Sequence, residues 1–255
     1  MSSNLDTILV GDYIKEYPAM FQIYIYHNDY VNTVKNSVTK KLIKHDKNEA
    51  SIQRSVRRSR CVISDIIACN QFELWTTFTF DRMKHDRYDI NHCKTVMQLW
   101  LNRQSRRSND FQYLIVPELH KDGALHFHAL LNGYKGTLRP TKARTKKNNL
   151  VVHKLTGYRA GNAQAVKIDG NYDAIIGYLN KYIKKDMPLL YNKSRYWCSK
   201  GLDRPKITCN GIFKFRLQNI IKNYKPDFIN SVMERQTHKK GYKIPLTYNS
   251  IDKLL

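Results

Sequence analysis

The chain has 255 residues, 42% of them hydrophobic, with a mean hydropathy of -0.58. That is enough apolar material for a core without disulfides, and no run approaches the roughly 18 to 20 apolar residues that span a bilayer. Lys and Arg number 44 against 21 Asp and Glu, a net charge of +23; such an excess repels itself unless a polyanion neutralises it, which puts nucleic acid first among partners and an acidic membrane second.

The opening stretch MSSNLDTILVGDYIKEYP has early acids and no basic segment leading into an apolar core. A secretory signal is therefore not expected, and a cytoplasmic protein is. The five cysteines (Cys61, Cys69, Cys93, Cys198, Cys209) form no CxxC pair, so free thiols are expected rather than a structural zinc site. Residues 1–45 are tyrosine-rich and show no clear period. From Ser51 to Ala68, Ile52, Val56, Ile63, Ile66 and Ile67 fall at helical spacing, interrupted by Arg54, Arg57, Arg58 and Arg60. The pattern predicts a basic amphipathic helix, either packed on a domain or lying along DNA.

FELWTTFTF (72–80) is dense in aromatic and β-branched residues and predicts a buried strand. After the loop DRMKHDRYD, the segment 91–103 places Cys93, Val96, Met97 and Trp100 at i, i+3, i+4, i+7, a helix stripe against a sheet. Residues 111–132 hold two apolar runs, FQYLIVPEL and ALHFHALL, separated by His-Lys-Asp-Gly, a hairpin signal. The polar, basic stretch 137–149 (TLRPTKARTKKNN) reads as an exposed, mobile loop. A further helix is predicted over 172–186, ending before Pro188. The stretch 211–255 is basic and partly helical in pattern.

This order predicts an α+β fold, a central antiparallel β-sheet with flanking helices packed on one face. The expected organisation is an N-terminal extension with the basic helix (1–69), a main domain (70–210) and a basic C-terminal extension (211–255).

Two constellations carry chemistry. In His126-Phe127-His128 the histidines lie two apart on a strand, so both imidazoles project from one face. If Lys121-Asp122-Gly123 forms a three-residue loop with Gly123 left-handed, Glu118 lies opposite His126 and Val116 opposite His128, and Glu118 joins the histidines; a two-residue loop would send it to the other face. Two imidazoles, a carboxylate and open positions suit Mg2+ or Mn2+ acting on a phosphate. His120 is nearby and reads as a loop residue.

In the helix YDAIIGYLNKYIKK, Ile175, Leu179 and Ile183 form the buried seam, and Tyr178 and Tyr182 stand side by side, flanked by Lys181 and Lys185. A phenol with a pKa near 10 needs a neighbouring cation to become a nucleophile, and the repeat YxxKYxxK gives each tyrosine a lysine one turn away. Taken alone, tyrosines bordering an apolar stripe are packing residues.

With WTTFTF (75–80), PELHKDGALHFHALL (117–131) and YLNKYIKK (178–185) in this order, the chain resembles the HUH endonucleases, the rolling-circle replication initiators (Rep proteins) of small single-stranded DNA phages and plasmids. RYWCSKGL (195–202) is similar to a segment that follows the tyrosine helix in phage and Gram-positive plasmid relatives. The resemblance implies an HUH/RRM-like endonuclease domain over 70–210, with Glu118, His126 and His128 holding Mg2+ or Mn2+. It further implies attack by Tyr178 or Tyr182 on single-stranded DNA at a replication origin, giving a 5′-phosphotyrosine and a free 3′-OH, with Lys181 and Lys185 assisting. No GxxxxGK[ST] motif occurs, so a separate helicase and a host polymerase, in a bacterial host cell, are the expected partners. An HUH transposase or relaxase shares this chemistry, whereas a non-catalytic nucleic-acid-binding module would need no convergent Glu, His, His and Tyr.

Overall fold

The computed structural model describes residues 13–18, 20–27, 49–170, 172–183, 187, 194–208, 228–229 and 242–248. In chain order the elements are β1 (Tyr13–Glu16), β2 (Phe21–His27), α1 (Glu49–Cys69), β3 (Leu74–Phe80), α2 (Ile90–Arg107), β4 (Gln112–Leu119), β5 (Leu125–Asn132), β6 (Leu138–Arg144), β7 (Val151–Leu155), β8 (Gly161–Lys167), α3 (Tyr172–Tyr182), β9 (Trp197–Cys198), β10 (Lys206–Thr208), β11 (Phe228–Ile229) and β12 (Tyr242–Tyr248). They divide into two compact units. One comprises Met1–Lys44 with Arg204–Leu255 and holds an antiparallel sheet in the order β10-β1-β2-β12-β11. The other, His45–Asp203, holds the seven-stranded sheet β6-β7-β8-β3-β5-β4-β9, antiparallel throughout, together with all three described helices.

The α+β class with a central antiparallel sheet is as expected, but the helices do not share one face. Along β3 the side chains alternate, and Leu74, Phe78 and Phe80 enter a core built on Cys93, Met97, Trp100 and Leu101 of α2. On the opposite face, Leu114, Val116 and Leu130 pack with Val56, Ile63, Ile66 and Ile67 of α1 and Leu179 and Ile183 of α3. The sheet is covered on both sides because β5 is apolar at nearly every position: Leu125 to Leu131 are all buried, His126 and His128 among them. A strand with one solvated face would alternate.

Local chemistry fixes the ends of these elements. Asp89 caps α2, its carboxylate accepting from the Asn91 and His92 backbone N–H groups, a contribution of about 1 kcal/mol. The hairpin between β4 and β5 closes with His120 N–H donating to Ala124 C=O and Gly123 N–H to His120 C=O, and Gly123 takes φ +84°. Its surroundings leave room for a Cβ, with only Tyr88 at 3.9 Å, so glycine is required by the left-handed backbone and not by crowding.

Residues 138–144 are a strand, not the exposed loop predicted over 137–149. β6 pairs with β7 at the sheet edge, with a register shift between Pro140 and Arg144. A polar edge strand with one solvated side needs no apolar alternation, and the ladder irregularity accommodates the proline. The helix predicted over 172–186 is described to Tyr182; residues 184–186 lie outside the described residues. Cys61, Cys69, Cys93 and Cys198 are free thiols, and Cys209 lies outside the described residues. No described helix is long and apolar enough to cross a membrane.

Candidate active site

The three-residue turn sets the register on which the site depends: Glu118 pairs with His126 and Val116 with His128. Cross-strand partners in a pleated sheet project to the same face, so Glu118, His126 and His128 share the α3 side. Both imidazoles are buried, and Glu118 reaches diagonally, its Oε2 lying 2.7 Å from His128 Nε2.

A second row holds the rings from behind. On β3, Thr77 pairs with His128 and Thr79 with His126, and their hydroxyls lie 3.3 and 3.4 Å from the Nδ1 atoms. Each Nδ1 engaged by a hydroxyl leaves Nε2 as the outward nitrogen. A hydroxyl can donate or accept, so this support serves the ring in either tautomer. The sequence reading took these threonines only as strand formers. The alternation in WTTFTF was the available signal, but which strand it adjoins was not.

Burial, and then the neighbouring imidazoles of His120 and His128, push His126 down to about 4, against weaker upward pulls from Glu118 and Asp122. His120 stacks on His126 with ring centroids 4.2 Å apart. A neutral imidazole at neutral pH is the form that donates a lone pair to a cation. The folded value lies below the ordinary imidazole value of 6.5, so this group's contribution is complete above about pH 6.5 and is lost as pH falls through about 4. In metal-free protein the melting temperature should therefore drop between these limits, for a loss of at most about 3 kcal/mol. His126→Asn should flatten that segment of the profile; an unchanged slope would mean that another group titrates there.

α3 lays both tyrosines against this face. Tyr182 stacks on His128 with ring centroids 4.1 Å apart and planes 16° from parallel. Tyr178 meets Tyr182 edge-on at 5.1 Å and Trp75 at 5.1 Å, and it is 43% exposed. Burial first, then the hydrogen bond with Tyr178, raise the Tyr182 phenol well above its ordinary value. Lys181 Nζ lies 5.5 Å from the centre of the Tyr178 ring, over its face. Lys185 lies outside the described residues.

The arginine-rich helix α1 packs on the domain, and Arg60 has a role that sequence reasoning missed. Its Nε and Nη2 both donate to Ile183 C=O, at 3.1 and 2.9 Å. This fork tethers the backbone immediately after Tyr182, where a helix end leaves carbonyls without internal partners. Asn180 Nδ2 adds a 3.4 Å contact to Ser64 Oγ. The RYWCSKGL segment supplies β9, whose Trp197 and Cys198 pair with Ile115 and Leu114 of β4.

Residues 73–187 match the family model of the replication-associated protein ORF2. This is a Rep-type replication initiator family, consistent with the rolling-circle likeness read from the motifs, and the matched segment contains WTTFTF, PELHKDGALHFHALL and YLNKYIKK in full. No curated protein and no solved structure matches the chain. The match ties this segment to DNA replication and, as a partner, to DNA.

The Rep family implies a divalent cation, and the donor set is suited to one. Two imidazoles and a carboxylate converge from adjacent strands, with the Nδ1 atoms engaged from behind. Among the described residues no three His, Cys, Asp or Glu side chains stand as a preformed ligand cluster, since Glu118 is hydrogen-bonded directly to His128. Binding would exchange that hydrogen bond for two bonds to the cation. The residues fit the ion in kind, by donor chemistry and common face.

Proposed function

We propose that the domain nicks and rejoins single-stranded DNA at a replication origin through a 5′-phosphotyrosine intermediate. The observation that carries this reading is the stacking of the Tyr178–Tyr182 pair against His128, on the face that also presents Glu118 and His126. Glu118, His126 and His128 would hold Mg2+ or Mn2+, which supplies Lewis-acid polarisation of a phosphate.

The chain's own residues divide the remaining work. The Tyr178 phenol oxygen attacks phosphorus, the bond from phosphorus to the 3′-oxygen breaks, and the departing oxygen takes a proton to become the 3′-OH. Tyr178 is the first nucleophile because it is exposed and has Lys181 beside it. Tyr182 begins buried and protonated and needs the helix to shift before its oxygen reaches a phosphate. Covalent capture keeps the phosphodiester energy for rejoining.

The test is incubation with Mn2+ and single-stranded oligonucleotides drawn from the DNA flanking the chain's own coding sequence. A denaturation-resistant protein–DNA adduct is expected. Absence of an adduct, or its persistence when Tyr178 and Tyr182 are both phenylalanine, refutes the mechanism.

Thr77 and Thr79 act here as positioning residues. Thr77→Val keeps the side-chain shape and removes the hydroxyl, and it should weaken Mn2+ binding about 10- to 100-fold, the usual cost of losing an outer-shell partner. Thr77→Ser should restore it. Titration followed by electron paramagnetic resonance reads both variants, and equal affinity in wild type and Thr77→Val would remove Thr77 from this role.

A further inference from the structure

We propose that the open half of the sheet's site face, from Thr77 through Gln164 and Lys154 to Arg139, is a track for single-stranded DNA leading away from the scissile phosphate. The proposal rests on the nicking reading above and adds the path of the substrate.

The register draws the track. His128 pairs with Thr77, Thr77 with Gln164, Gln164 with Lys154, and Lys154 with Arg139. Direct partners on successive strands project to one face, so these five side chains form a line across β5, β3, β8, β7 and β6. At an interstrand spacing of about 4.8 Å, Lys154 stands about 14 Å and Arg139 about 19 Å from His128.

Helices α1 and α3 cover only the β4–β5 end of this face. Beyond β3 the surface is open: Asn162, Gln164, Lys154 and Arg139 are all exposed. The reverse side of the same strands is core, through Ala163, Ala165 and Leu155, so the surface is backed by packed structure.

Charge identifies the occupant. From Gly123 to Ile168 the sequence contains nine Lys or Arg residues and no Asp or Glu. Among the described residues, neither Arg139 nor Lys154 has a salt-bridge partner. Two cations in line with the nicking site suit successive phosphates of one strand. Two residues along the strands runs a half-exposed apolar row, Trp75, Val166 and Val152, themselves direct partners. Exposed carboxamides on one side and an apolar strip on the other suit unstacked bases, which a duplex does not present.

The test is fluorescence anisotropy with a labelled 20-nucleotide oligo-dT in EDTA, from 50 to 200 mM KCl. Each phosphate contact on a single strand contributes about 0.7 to the slope of log K against log salt. Lys154→Ala and Arg139→Ala should each lower the slope by about 0.7, and the pair by about 1.4. Arg103→Ala/Arg106→Ala, two exposed charges on α2 across the sheet, should leave it near the wild-type value. Wild-type slope in the Lys154/Arg139 double variant, or equal loss in the α2 pair, overturns the track. So does a larger loss on duplex than on single strand. If the slope falls as expected but no adduct forms, the track stands and the nicking reading fails. If the adduct forms and the slope does not move, the reverse holds.

Discussion

Tyr178→Phe is expected to reduce formation of the covalent protein–DNA adduct at least about a thousand-fold, the scale on which loss of a nucleophile normally acts. Tyr182→Phe should have a much smaller effect on the first cut. The difference comes from environment, since both phenols have the same intrinsic chemistry and lie one helical turn apart. Tyr178 is 43% exposed and neighbours Lys181, whereas Tyr182 stacks on His128 and is held protonated by burial. Phenylalanine keeps both rings in their packing, so the variants separate chemistry from stability. A quenched-flow comparison of the two single variants on one oligonucleotide decides the order. Equal losses would mean that the tyrosines are interchangeable in the first cut.

The second large effect is expected at Glu118. Glu118→Gln is nearly isosteric and retains an oxygen able to accept from His128 Nε2, so the melting temperature should stay within about 1 kcal/mol of wild type in stability terms. Removing the charge deprives the proposed cation of its one anionic ligand. Nicking should fall at least about a hundred-fold, corresponding to about 3 kcal/mol of lost transition-state stabilisation. Mn2+ affinity measured by calorimetry should fall in parallel. If affinity and nicking both survive, the carboxylate only orients His128 and the ion, if bound, is held otherwise.

Much of this site was legible because it is local. Asp122-Gly123 admits few turns, and once the three-residue turn is taken, Glu118, His126 and His128 follow on one face. The helical phase of Tyr178 and Tyr182 was equally readable from Ile175, Leu179 and Ile183. The non-local part was hidden. Nothing in WTTFTF announces that Thr77 and Thr79 will stand beside His128 and His126, because that register belongs to the sheet. Arg60 looked like one of several solvated arginines, and only the packing of α1 on α3 gives it the Ile183 carbonyl. The polar composition of residues 138–144 concealed an edge strand, where burial does not impose alternation. The two-sided cover of the sheet had a visible signal in the nearly unbroken apolar run ALHFHALL, which suits a strand enclosed on both faces.

The Arg60 tether also bears on what counts as the smallest working fragment. Among the described residues, 73–187 hold every proposed reacting group, yet a protein trimmed to them would lose α1, which packs on the tyrosine helix, and β9, which pairs with β4. Such a fragment would expose Leu179, Ile183, Leu114 and Val116 and leave the Ile183 carbonyl without its guanidinium. The self-sufficient body is instead His45–Asp203, in which a helix encoded ahead of the matched segment holds the proposed nucleophiles in place.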